Sequence, residues 1–240
     1  MTPSEWIQEL RPALIAVGIL EISGRIFSFT PQSETLLAIF LAGFTVYLAD
    51  HSLPSRSGWT WPLLLLCSGA VAGSLYLSAQ VSIPGVVLYV LLALLYVLPL
   101  MPRRRRLQDF PHLRTLAVVG GWAGIPFLLE PFPLHARSLI YLLGMAGFLL
   151  PALLWSDLAD SREDQAARRK TWSTLLSPEQ RILLSLLALG LSVLCFSLPD
   201  LRIMLPGPLL YLAGFRIWER HPRHSDWVLL WPLVYVWTSA

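Results

Sequence analysis

Polar residues are scarce along this chain and come in short clusters. Between the clusters run apolar stretches, most of them close to the ~20 residues that a helix needs to cross a bilayer. Nine such stretches are legible, over residues 12–29, 35–49, 61–77, 83–101, 113–129, 139–154, 182–198, 201–218 and 227–237. Several are short for a hydrocarbon core about 30 Å thick, so their ends are expected to reach interfacial tryptophan or a protein-lined cavity. Residues 2–11 read as a short interfacial helix: Thr2 and Glu5 have capping-box spacing, and Trp6, Ile7 and Leu10 suit a membrane surface. Ser177-Pro178-Glu179-Gln180 reads as a helix start, with Ser at the cap, Pro in the first turn and Gln closing the box. The pattern predicts an all-α fold, a polytopic transmembrane helical bundle of about nine helices. It forms one domain over residues 1–240, with an acidic and basic loop over 155–178.

Composition agrees with that class. The chain is 55% hydrophobic and 14% charged, against about 25% charged for an ordinary soluble domain. Its tryptophans and prolines fit membrane interfaces and membrane helices. Cys67 and Cys195 both lie in apolar runs and read as neither metal ligands nor a structural disulfide. The opening residues lack the basic segment of a signal peptide. The net charge of +3 is not a nucleic-acid footprint, because the basic residues follow membrane topology. His51, His112, His135, His221 and His224 show no metal-ligand spacing.

Arg and Lys set the orientation. With the N-terminus inside, the inner loops carry Arg56, Arg103 to Arg106, Arg114, Arg162, Arg168, Arg169, Lys170, Arg181, Arg220 and Arg223. The outer loops carry Arg137 and Arg202. That asymmetry puts the acidic stretch on the cytoplasmic side and the C-terminus outside. Within the first span, Glu21 and Arg25 are four residues apart, and an unpaired charge in mid-bilayer is costly, so the two are expected to pair.

The stretch from Trp155 to Thr174 carries the candidate chemistry. Asp157, Asp160 and Asp164 stand at i, i+3 and i+7, on one face of a helix. Two carboxylates about 6 Å apart repel by about 3 kcal/mol at an effective dielectric near 20. A cation is expected among them, either magnesium shared with a phosphorylated ligand or the nearby Arg168, Arg169 and Lys170.

Three segments together resemble the UbiA family of intramembrane prenyltransferases. Asp157, Asp160 and Asp164, with Lys170 and Thr171, are similar to its second aspartate motif. Tyr96, Pro99 and Arg103 or Arg104 are similar to its Tyr-Ser-x-Pro-x-x-x-Lys segment, with Val97 in place of Ser. Asp50 stands where the first aspartate motif falls, with Val46 in place of that motif's Asn and Pro54 in place of its second Asp. The resemblance implies transfer of a polyprenyl group from a prenyl diphosphate to an aromatic or other lipophilic acceptor. It assigns Asp50, Asp157, Asp160 and Asp164 to Mg2+ and diphosphate, Arg103, Arg104 and Lys170 to phosphate, and Tyr96 to the reacting end. It implies an integral membrane protein of the bacterial plasma membrane, with N-terminus and acidic motifs cytoplasmic. The run Arg103 to Arg106 also suits anionic lipid headgroups. With the first motif reduced to one acid, the alternative is a non-catalytic protein of the same fold that binds an isoprenoid lipid or a protein partner. A CDP-alcohol phosphotransferase needs glycines between its acids, and none occurs between Trp155 and Pro178.

Overall fold

The computed structural model describes residues 3–52, 68, 71–74, 76, 78, 80–98, 106–129, 135–159, 171–221 and 227–238. Among these the secondary structure is helical, apart from one isolated bridge between Val81 and Leu129. The chain divides into two compact units. One comprises Met1–Val97, Ile125–Phe132 and Leu233–Ala240, the other Leu98–Gly124 and Pro133–Pro232.

In the first unit, helix α1 (Pro3–Phe27) packs along α2 (Ser33–Ser52). α1 buries Ala13, Ala16, Ile19, Leu20 and Ile22, and α2 buries Ala38, Ile39 and Phe44. The expected interfacial helix over 2–11 is not a separate element, because α1 runs unbroken through Pro12. Proline removes one hydrogen bond to the preceding turn, and the apolar face beyond it continues into the core. The α1 end is a Schellman turn: Ser28 takes a left-handed conformation (φ 61°) and the Phe29 amide donates to the Gly24 carbonyl at 2.8 Å. A Cβ on Gly24 would stand 2.5 Å from the Phe29 carbonyl oxygen, so the turn requires glycine there.

Helix α3 (Ile83–Val97) follows a polar knot. The Gln80 side chain accepts from the Gln32 amide and donates to the Thr30 carbonyl, each at 2.9 Å, and the Ser82 amide donates to Leu128 at 2.8 Å. Arg25, expected to pair with Glu21, has two other described contacts. Arg25 donates to the Val236 carbonyl at 3.1 Å and lies over the Tyr235 ring, 5.9 Å from its centroid.

The second unit begins with a short 3-10 turn (Leu107–Asp109) and α4 (Pro111–Ala123), then α5 (Ala136–Ala159), the single turn α6 (Trp172–Leu175) and α7 (Pro178–Phe196). The expected cap of α7 is realised: the Gln180 amide donates to Ser177 Oγ at 3.3 Å and the Ser177 amide to Gln180 Oε1 at 2.9 Å. A 3-10 segment (Pro199–Met204), α8 (Pro206–Ala213) and α9 (Phe215–Arg220) follow. The last helix, α10 (Trp231–Thr238), begins in this unit and ends in the first.

Among the described residues two helices, α5 and α7, are long and apolar enough to cross a membrane. Other predicted spans differ from single long helices for identifiable reasons. The run 113–129 is α4 followed, past Gly124, by a 3-10 turn (Ile125–Leu128) holding Pro126. The run 201–218 is divided at Pro206 and again at Gly214. Most of the run 61–77 lies outside the described residues.

The α5–α7 seam is made of small residues. A Cβ on Gly147 would lie 2.5 Å from the Ala188 carbonyl oxygen, and one on Gly144 would lie 2.5 Å from the Phe196 ring. Ser185, Ala188 and Ser192 of α7 are buried in this seam's direction, while Leu183, Leu187, Leu191 and Leu194 of the same helix are exposed. Of the apolar window of α5, 61% is buried, but only 28% of that of α7. Leu189 and Phe196 of α7 are buried too, so the feature that lipid favours is the close small-residue approach together with the outward leucines.

The seam predicts a contrast between two glycines. Gly147→Ala should lower the thermal midpoint in detergent, at a cost of about 1–3 kcal/mol for overpacking. Gly120→Ala, where an added Cβ meets nothing within 4 Å, should leave the midpoint unchanged or raise it through helix propensity. Equal midpoints for the two variants would contradict the close approach.

Candidate functional site

The C-terminal end of α5 carries Asp157 out of water: its side chain is 4% exposed. A buried carboxylate needs charge compensation and hydrogen bonds. Arg114, three residues into α4, supplies both. Its Nη2 donates to Asp157 Oδ1 at 3.0 Å, and the Arg114 side chain is itself 12% exposed. Pro111 starts α4 without needing an amide donor, which puts Arg114 in the first turn against α5. The Thr115 hydroxyl, also buried, turns back to the Pro111 carbonyl at 3.0 Å.

Thr171 is the N-cap of α6. Thr171 and Ser173 are both fully buried, their hydroxyls 2.7 Å apart, and the Thr171 amide donates to Thr174 Oγ1 at 3.0 Å. This hydroxyl knot closes α6. Arg181 of α7 donates through Nη1 to the Ser173 carbonyl. Trp172 turns outward from the knot, and its Nε1 donates to His112 Nδ1 of α4. The two rings stand edge to face, with centroids 5.6 Å apart. One turn of α4 thus holds both α5 and α6. Ahead of it, Arg106 and Asp109 pair within the 3-10 turn at 3.4 Å.

On the opposite side of α5 from Asp157, Trp155 is buried against Phe215 of α9, edge to face with centroids 5.8 Å apart. Residues two apart on a helix do not share a face, so the aromatic contact and the ion pair anchor different neighbours to one helix end.

The residues singled out in the sequence are distributed as follows. Asp157 has its expected place at the end of the sixth apolar run, but its nearest described partner is an arginine. Asp160, Asp164, Arg103, Arg104 and Lys170 lie outside the described residues, as does Pro99. Asp50 stands in the last turn of α2 and half-buried Tyr96 in the last turn of α3, both in the first unit, whereas Asp157 belongs to the second. Among the described residues no three His, Cys, Asp or Glu side chains converge as a metal site. Sequence reasoning took Arg114 only as a topology signal and His112 only as a histidine without ligand spacing. The signal that pointed to a partner was Asp157 itself, an acid at the edge of an apolar run, which demands a counter-ion without naming it.

Because the pair is buried, breaking it should cost more than replacing it. Arg114→Ala, which leaves Asp157 uncompensated, should destabilise the protein by about 3–5 kcal/mol. The double variant Arg114→Met, Asp157→Leu should be markedly more stable than Arg114→Ala. Unfolding curves in detergent read the difference, and a double variant no more stable than the single one would remove the pair as the organising contact.

Compared with protein-family models, curated proteins and solved structures, the chain matches none.

Proposed function

We propose that this chain is an integral membrane protein with a UbiA-like bundle of about nine helices, acting as a prenyltransferase. It moves a polyprenyl group from a prenyl diphosphate to an aromatic or other lipophilic acceptor. The observation that supports this reading is the buried Arg114–Asp157 pair at the end of the apolar helix α5. In prenyl transfer the bond between the allylic carbon and the diphosphate oxygen breaks, and the acceptor attacks the electron-poor carbon. Negative charge grows on the leaving diphosphate. A guanidinium fixed where water is excluded stabilises that charge more than one in bulk solvent. Arg114 is held in such a place, with Arg103, Arg104 and Lys170 as the further phosphate partners. Tyr96 serves the reacting end, and apolar helix faces take the prenyl tail.

Magnesium belongs to the proposal through Asp50, Asp160 and Asp164 with Asp157. The described residues do not by themselves make a magnesium site, since Asp157 is already engaged by Arg114. The chain's own cations, Arg114 among them, would share in neutralising the leaving group. The same engagement favours a second reading, a non-catalytic member of this fold that retains an isoprenoid lipid or a protein partner. The proposed location is the bacterial plasma membrane, with N-terminus and acidic stretch cytoplasmic.

Two measurements test the proposal. Cysteines placed at Arg104 and Ala166 should label only from the cytoplasmic side and one at Leu134 only from outside. Labelling of Ala166→Cys from outside reverses the topology. For the chemistry, prenyl transfer should fall about 100-fold or more in Asp160→Ala, the scale of losing one electrostatic stabiliser of a transition state, and similarly in Asp50→Ala. Full activity in both variants would sink the enzyme reading. A wild type that shows no transfer yet co-purifies with an isoprenoid lipid, identified by mass spectrometry, would establish the second reading.

A further inference from the structure

Arg25, Arg106, Arg114, Arg137, Arg181 and Arg202 each hold an acceptor within the chain, a carboxylate or a main-chain carbonyl. Arg216 and Arg220 of α9 are exposed and, among the described residues, hold none. α9 is fixed from its inner side. Phe215 stands edge to face on Trp155, and Trp218 lies against Tyr211 with ring centroids 6.1 Å apart. Phe215 and Trp218, three residues apart, share this inner face. Arg216 and Arg220, four apart, share the outer one, with Ile217 at its edge, 56% exposed. Glu219 falls on the flank and pairs with neither arginine. Ahead of the break at Gly214, α8 turns Leu209 and Leu210 outward. The outer surface thus passes from leucines on α8 to guanidiniums on α9.

We infer that the outer face of α9 is a docking surface for anionic phospholipid, with Arg216 and Arg220 on the phosphate headgroups and Ile217 at the top of the acyl chains. Charge complementarity carries the first half. Two guanidiniums with no acceptor of their own present forked donors that match phosphate oxygens, and Arg keeps its charge at any physiological pH. A zwitterionic lipid brings an ammonium group that offsets this attraction, whereas an anionic lipid does not. Ile217 carries the second half. A dissolved anion on the two arginines would leave this apolar side chain in water, while a lipid surface takes both the cations and the side chain between them. Leu209 and Leu210 extend the apolar contact along α8. The inference rests on the membrane reading and its topology, which puts α9 on the cytoplasmic side, where anionic lipids concentrate. It is independent of prenyl transfer.

The test uses the full chain with both native cysteines replaced by Ala, Ile217→Cys carrying a bimane fluorophore, reconstituted into phosphatidylcholine vesicles. Phosphatidylglycerol or phosphatidylcholine with a nitroxide high on the acyl chain is then titrated in, and quenching gives the relative association of the two lipids at α9. Phosphatidylglycerol should be preferred, and the preference should fall about fivefold for each of Arg216→Gln and Arg220→Gln, the scale of one arginine at an anionic surface. Arg216→Lys, which keeps the charge, should retain most of it. Arg137→Gln and Arg202→Gln, on other elements, should leave it unchanged. An unchanged preference in the double variant Arg216→Gln, Arg220→Gln overturns the inference, as does equal quenching by the two lipids in the parent protein. Loss of the preference on adding inorganic phosphate at matched ionic strength would assign the arginines to a dissolved anion instead. Flotation of the vesicles separates the two readings: a chain that does not float with them refutes the membrane reading itself, whereas one that floats without a lipid preference refutes only the docking surface.

Discussion

A carboxylate at the end of an apolar helix is the constraint from which the second unit is built. Asp157 is almost wholly out of water, and a lone buried charge costs several kcal/mol even after relaxation. The cost is met by bringing a second helix to it. Arg114 has to come from the first turn of α4, and that in turn lays α4 along α5. With α4 in place, His112 is carried to where Trp172 can reach it, and α6 acquires its support. The hydroxyl knot of Thr171 and Ser173 and the reach of Arg181 then tie α6 to the start of α7. One desolvated charge thus accounts for the placement of α4 on α5 and, through α4, for a support of α6.

The second constraint concerns what lies outside the helices. α7 turns Ser185, Ala188 and Ser192 inward against a glycine-lined face of α5 and presents leucines outward. Leu189 and Phe196 of α7 are buried as well, yet several of its leucines are exposed. Close backbone approach explains the inward face, because dispersion between small residues at short range replaces the hydrophobic drive that lipid cannot supply. The outward leucines need no protein partner if their surroundings are themselves apolar. The tryptophan at 155 adds a rigid flank, edge to face on Phe215, where α5 leaves its apolar run.

Much of this was legible in the sequence, and the limits have physical causes. The apolar runs located α2, α3, α5 and α7 to within a few residues, since burial or lipid contact along a whole helix leaves a continuous signature. Ser177 and Gln180 announced the start of α7, because a cap is a local interaction between residues three apart. The breaks at Gly124, Pro206 and Gly214 were passed over, because in an apolar run hydropathy averages across them. Residues 2–11 were separated from the first span on the capping-box spacing of Thr2 and Glu5 and the interfacial character of Trp6, Ile7 and Leu10, although α1 continues through Pro12. The site divided in the same way. Asp157 stood out as an acid at the margin of an apolar run, but Arg114 lies 43 residues away, and nothing in local spacing announces a contact of that separation. The Trp172–His112 bond was hidden for the same reason.

The arginine on Asp157 also changes what the acidic stretch can do. Read as a row of acids, the stretch looks like a cation site. Yet between Trp155 and Pro178 Asp157, Asp160, Glu163 and Asp164 stand beside Arg162, Arg168, Arg169 and Lys170, so the segment is close to neutral by itself. Arg114 then tips the balance, cancelling the buried Asp157. Arg103 and Arg104, earlier in the chain, add to the positive side. A centre with this charge count has more to offer an anion than a bare divalent ion. If magnesium enters, the simplest electrostatics has it arrive with a diphosphate, whose own oxygens supply the negative charge that Asp157 no longer contributes.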